Sequence, residues 1–126
     1  MTGRILTTLL AALVASLLAT NASAAEGNAA AGQRVFGRCA ACHSAEPGKN
    51  GIGPSLSDVF GRKSGTVEGY DYSPSLKSAG ITWDSATLDR FLLSPDGLVH
   101  GTKMFMTLTN ERDRSNVIAY LKTLHP

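Results

Sequence analysis

Residues 38–43 read RCAACH and hold both cysteines of the chain, Cys39 and Cys42, with His43 directly behind them. A structural disulfide between these cysteines would close a tiny loop and constrain little of the unfolded chain, because its entropic gain grows with loop length. A thioredoxin-like redox pair belongs at the end of a strand in a βαβ unit, and no such pattern precedes this one. A zinc site needs a fourth ligand, yet no second C-x-x-C and no H-x-x-x-H occurs. Haem attachment uses every residue of the motif: the two thiols add to the vinyl groups and the adjacent imidazole reaches the iron. Two intervening residues set both sulfurs along one edge of the macrocycle, and the next residue carries its ring over the metal.

The size of the chain makes such a group structurally useful. Residues 1–24 have one basic residue (Arg4), an apolar run from Ile5 to Leu18 and then Ala22-Ser23-Ala24, the pattern of a secretory signal peptide with cleavage after Ala24 or, one residue on, Ala25. The 14-position run falls short of the ~20 apolar residues of a spanning helix, so no stable membrane insertion of the mature chain is expected. Removing the leader leaves 102 of the 126 residues, 25–126, which is one small domain. A domain this short buries a limited fraction of its surface and gains from a covalently held apolar disc. The mature chain has 11 basic and 10 acidic side chains scattered among one another, so the charge near +1 offers no surface for nucleic acid.

Four helices are predicted. The first runs from about Ala29 to Ala40 and delivers Cys39, Cys42 and His43 at its end, with Gly32, Val35 and Phe36 on its core side. Ser73-Pro74 reads as an N-cap and N1 pair for a short helix to about Ser78. Asp84 caps another that runs to about Leu93 and stops at Pro95. The last starts near Asn110 and places Val117, Tyr120, Leu121 and Leu124 at i, i+3, i+4 and i+7. The glycine-punctuated stretch from Ser44 to Tyr72 reads as loop, and no pair of strands is evident.

A second iron ligand could come from Met104, Met106, His100, His125 or, at high pH, Lys103. Met is usually core filler, but Met104 sits in HGTKMFM, an irregular stretch about 60 residues after the motif. His125 lies beside the C-terminus and is expected to face solvent.

The segments CAACH, GPSL, FGRKSG, GYDYS, GITW, GTKM and VIAYLK, in this order and at these spacings, resemble the class I c-type cytochromes, the mitochondrial and purple-bacterial cytochromes c. The similarity runs from about Gly27 to Leu124. It implies an all-α fold, a small cytochrome c domain of three to four main helices with long loops wrapped around one covalent haem c. It also implies a periplasmic electron carrier, not an enzyme, with haem on Cys39 and Cys42 and with His43 and Met104 as axial ligands. Pro54 matches the residue whose carbonyl orients the axial histidine. Arg62, Tyr72 and Trp83 match the contacts of the haem propionates, with Tyr70 and Thr102 as weaker candidates. Gly32 and Tyr120 match the close crossing of the first and last helices. Expected partners are transient redox proteins (a dehydrogenase, a cytochrome complex, or an oxidase or reductase), met by a monomer.

Several residues depart from the mitochondrial pattern. Phe91 replaces a tyrosine near the methionine sulfur, and Leu76 stands where an asparagine helps hold an internal water, which makes that side drier. Met106 replaces an aromatic residue at the haem edge, and His100 replaces a proline. Asp96-Gly97 stands where paired lysines form part of the docking face, so docking should depend less on salt. A methionine with fewer supporting hydrogen bonds leaves more readily, and the alternative function is therefore binding of peroxide or a small gas. The absence of a distal His/Arg pair speaks against peroxide chemistry.

Overall fold

Asn28 opens the first helix, its side chain accepting the Ala31 N–H at 2.8 Å. In the computed structural model, which describes residues 26–126, this helix is α1 (Ala29–Phe36). The signal peptide read at residues 1–24 and its cleavage site lie outside the described residues. Helix α1 ends four residues earlier than its apolar spacing predicts. From Gly37 onward the chain tightens into turns, with Arg38 and Cys39 bonding back three residues to Val35 and Phe36. Cys39, Cys42 and His43 therefore stand on a turn that follows the helix. His43 N closes it on Cys39 O at 2.9 Å.

The other predicted caps are present. Ser73 caps α2 (Pro74–Ser78) with Pro at its first position, and Asp84 forms a reciprocal capping box with Thr87 at the start of α3 (Ser85–Leu93). Pro95 does more than stop α3: it begins a further turn, α4 (Pro95–Leu98), capped by the Ser94 hydroxyl. Asn110 caps α5 (Glu111–Leu121). The predicted stripe on this helix is displaced, because Leu124 falls beyond its end. The buried face is Arg114, Val117, Ile118 and Leu121, and Tyr120 is half-buried with its ring 5.1 Å from that of Phe36. Among the described residues the only β pairing is an isolated bridge between Lys63 and Thr82.

Helices α1 and α5 cross where Gly32 lies against the backbone of Asn116; a side chain at this position would overlap Asn116 O and C and meet Tyr120 Cβ at 2.9 Å. The contact is clipped by Asn116 Oδ1, which accepts the Asn28 N–H at 2.8 Å. The core beneath the crossing joins Phe36, Cys39, Val59, Trp83, Phe91 and Leu92 to Leu108 and Val117, which are 2% and 1% exposed. Arg114 is buried with them, 7% exposed, and its charge is compensated. It donates to Asp89 on α3 at 2.7 Å and to the carbonyls of Leu108 and Thr109 at 2.9 and 3.0 Å.

Candidate haem site

The turn after α1 presents Cys39 and Cys42 as free thiols, the first buried and the second half-buried. Burial pushes the Cys39 thiol up, against a smaller opposing pull from Arg38. Beside them opens a cleft of about 360 Å³, lined by Phe36, Ala40, Cys42, His43 and Asn50 among others.

His43 is held in one orientation. Its Nδ1 lies 2.7 Å from Pro54 O. A carbonyl can only accept, so Nδ1 carries the proton and Nε2 is left with a free lone pair. Burial, opposed by that bond, lowers the imidazole's affinity for a proton and keeps the ring neutral near pH 7. Gly53 gives the ring its room: a side chain there would overlap Cε1, Nδ1 and Nε2. The backbone bonds Gly53 N to Cys42 O and Leu56 N to Ser44 O, both 2.8 Å, fasten this loop along the motif.

Arg62 is bound at two of its three nitrogens, Nη1 to Ser57 O at 2.9 Å and Nη2 to Ser55 O at 3.1 Å. Its Nε is buried and has no partner. An unpaired buried guanidinium N–H is costly, and the group that would satisfy it is an anionic oxygen such as a haem carboxylate supplies. By this test the residues fit a haem. Tyr72 is buried with its hydroxyl accepting the Val67 N–H at 3.1 Å, which leaves the O–H proton free to donate elsewhere. Trp83 is buried with its ring 4.9 Å from Phe91. Thr102 is also buried, whereas the Tyr70 hydroxyl turns to Ile52 O at 2.8 Å.

Met104 lies in an irregular segment and packs, half-buried, against the cluster that contains Cys39, Trp83 and Phe91; Met106 and Leu76 pack against the same cluster. Two other imidazoles face water. The His100 side chain is 94% exposed and pairs with Asp96 at 3.0 Å, and His125 lies 3.7 Å from Asp58. Asp96 braces its own loop by accepting the Gly101 N–H at 2.9 Å. The Gly101 and His100 hydrogen bonds hold its carboxyl below the usual carboxylate range.

Sequence reasoning missed Arg114, whose signal was its place at the head of the α5 stripe, three residues before Val117. It also missed the link from Lys103 to Asp71, 32 residues away, for which the sequence carries no signal.

The family model described as Cytochrome c matches residues 29–125. The chain is 53% identical over 97 residues to cytochrome c2 of Rhodoblastus acidophilus, spanning 75% of this chain and 91% of that one. It is 52% identical over 91 residues to cytochrome c2 iso-2 of Magnetospirillum fulvum, spanning 71% and 95%. Cytochrome cH from Methylobacterium extorquens superposes with a TM-score of 0.73 at 46% identity, covering 77% of this chain and 99% of that structure.

Proposed function

The chain belongs to the cytochrome c family, and from that membership we propose a periplasmic electron carrier in which His43 and Met104 close the two faces of one haem iron. It is a cytochrome c2-like monohaem carrier and not an enzyme, with the covalent haem c of its family attached through Cys39 and Cys42. Bound, the haem supplies a one-electron ferric–ferrous couple.

The bond from His43 Nδ1 to Pro54 O carries the reading, because it fixes the tautomer and leaves the Nε2 lone pair available to a metal. Met104 offers a neutral thioether from a segment that no helix ladder engages. Arg62, through its free Nε, would hold a haem carboxylate, with Tyr72 and Trp83 as the further residues that would contact it. Phe91 lies in the core cluster against which Leu76 and Met104 both pack, and neither Phe91 nor Leu76 brings a polar side-chain atom to it.

Partners are redox proteins of the kind that serve the family: a dehydrogenase, a cytochrome complex, or an oxidase or reductase. A carrier that must leave each partner quickly suits a small interface, below about 1,200 Å². Phe105, 90% exposed and next to Met104, offers such an interface an apolar contact. The leader at residues 1–24 supports export, and among the described residues no helix is long and apolar enough to cross a membrane. Peroxide chemistry would need a base beside Met104, and His100 and His125 are turned to solvent.

Met104→Ala tests the ligand assignment. The variant should lose the low-spin spectrum of the oxidised protein at neutral pH and gain a high-spin, open iron. An unaltered low-spin spectrum would pass the role to Met106.

A further inference from the structure

Resting on Arg62 as the residue that holds a haem carboxylate, we propose that the C-terminal turn of the chain sets the position of this guanidinium. Leu124 acts through its backbone carbonyl, which makes it a positioning residue for Arg62 and, through Arg62, for the reduction potential.

The Arg62 side chain is placed by a loop, with Nη1 donating to Ser57 O at 2.9 Å and Nη2 to Ser55 O at 3.1 Å. Ser57 O is one end of the peptide unit that joins Ser57 to Asp58. The other end, Asp58 N, donates to Leu124 O at 2.5 Å. One rigid amide plane therefore stands between the guanidinium and the C-terminal turn, and the two bonds polarise it in the same sense. Asp58 has a φ of +56° and is the one non-glycine residue in the left-handed region among the described residues. An L residue keeps that conformation at a cost, where the surrounding contacts enforce it.

The two carbonyls that receive Arg62 are moored differently. Ser55 is tied on its own side of the loop: its hydroxyl donates to Glu46 O at 2.6 Å, and its N–H donates to Asn50 Oδ1 at 2.9 Å. For the plane between Ser57 and Asp58 the long-range tie is Leu124. The far end of that tie is firm, because Leu124 packs against the core, its N–H bonds to Leu121 O at 3.2 Å, and Lys122 lies over the Phe60 ring at 5.0 Å. Arg62 is in this way referenced to the end of α5.

A cation held beside the haem favours the ferrous state, the less positive of the two. A peptide plane free to tip lets the guanidinium drift and weakens that preference. On the scale of one net hydrogen bond, the ferrous-to-ferric ratio at a fixed solution potential should fall at least about twofold.

The test is a redox titration of the haem-loaded protein at neutral pH. Asp58→Gly and Asp58→Val both remove the carboxylate, but only valine resists the left-handed conformation. Asp58→Val should show a ratio at least about twofold below that of Asp58→Gly, with Asp58→Ala, a milder obstacle, between them. Deleting residues 124–126 should lower the ratio of the natural chain too, whereas Leu124→Ala, which keeps the carbonyl, should leave it unmoved. In an Arg62→Gln background all these differences should vanish. If Arg62→Gln lowers the ratio while Asp58→Val matches Asp58→Gly, the clip is refuted and Arg62 keeps its role. Differences that persist in the Arg62→Gln background also refute it, since they then belong to the loop and not to the guanidinium. If Arg62→Gln leaves the ratio at the natural value, Arg62 does not serve a haem carboxylate and the clip falls with it.

Discussion

Replacing Cys39 or Cys42 by alanine leaves haem attached through a single thioether, and replacing both leaves it removable by acid and organic solvent. The consequence for the fold is large because Cys39 belongs to the hydrophobic core and the haem joins that core through it. A domain of this size has a total stability of about 5–15 kcal/mol, so it has little to spare when its covalent apolar group is lost. The double variant should therefore lose its cooperative thermal transition above room temperature. A peptide mass map of the exported protein reads the bonds directly. Two-bond haem on either single variant would refute the attachment scheme.

Gly32→Ala should destabilise the holoprotein by about 3 kcal/mol or more, the upper end of the penalty for overpacking. Helix propensity alone predicts the reverse, since alanine is favoured over glycine by about 1 kcal/mol in a helix interior. The clash wins because the new methyl group would fall on the backbone of Asn116, which is fixed within α5 and cannot move aside as a flexible side chain can. Gly37 supplies the control. It too has right-handed helical angles, but a methyl group there meets only Arg34 O, at 3.2 Å, so its replacement by alanine should cost far less. Denaturant midpoints of the two variants decide the matter. A Gly32→Ala protein as stable as the natural chain would mean that the helices do not cross at that residue.

What the sequence reveals here follows from how local each signal is. The caps Ser73, Asp84 and Asn110 act on a residue three positions away, so they mark α2, α3 and α5 correctly. Ser94-Pro95 is the same signal as Ser73-Pro74, yet it reads as a stop because it abuts the end of α3, and α4 is hidden behind it. The end of α1 is misjudged because apolar spacing continues through Cys39 while the hydrogen bonds shorten from four residues to three. Arg114 is concealed by its charge: it occupies a core position only because Asp89 and two carbonyls receive its donors. For the site, the order of motifs directs attention to His43, Pro54 and Arg62. The bond from His43 to Pro54 and the free Nε of Arg62 are properties of folded loops. The tie between Lys103 and Asp71 joins residues 32 apart with no motif in common, so only the fold displays it.

The most direct test of a closed, six-coordinate electron carrier is the visible spectrum of the reduced, haem-loaded protein at neutral pH, before and after carbon monoxide is added. An unchanged spectrum is expected if, as proposed, His43 and Met104 both ligate the iron. Prompt formation of a carbon monoxide adduct would contradict that closure and turn the site into one that binds ligands.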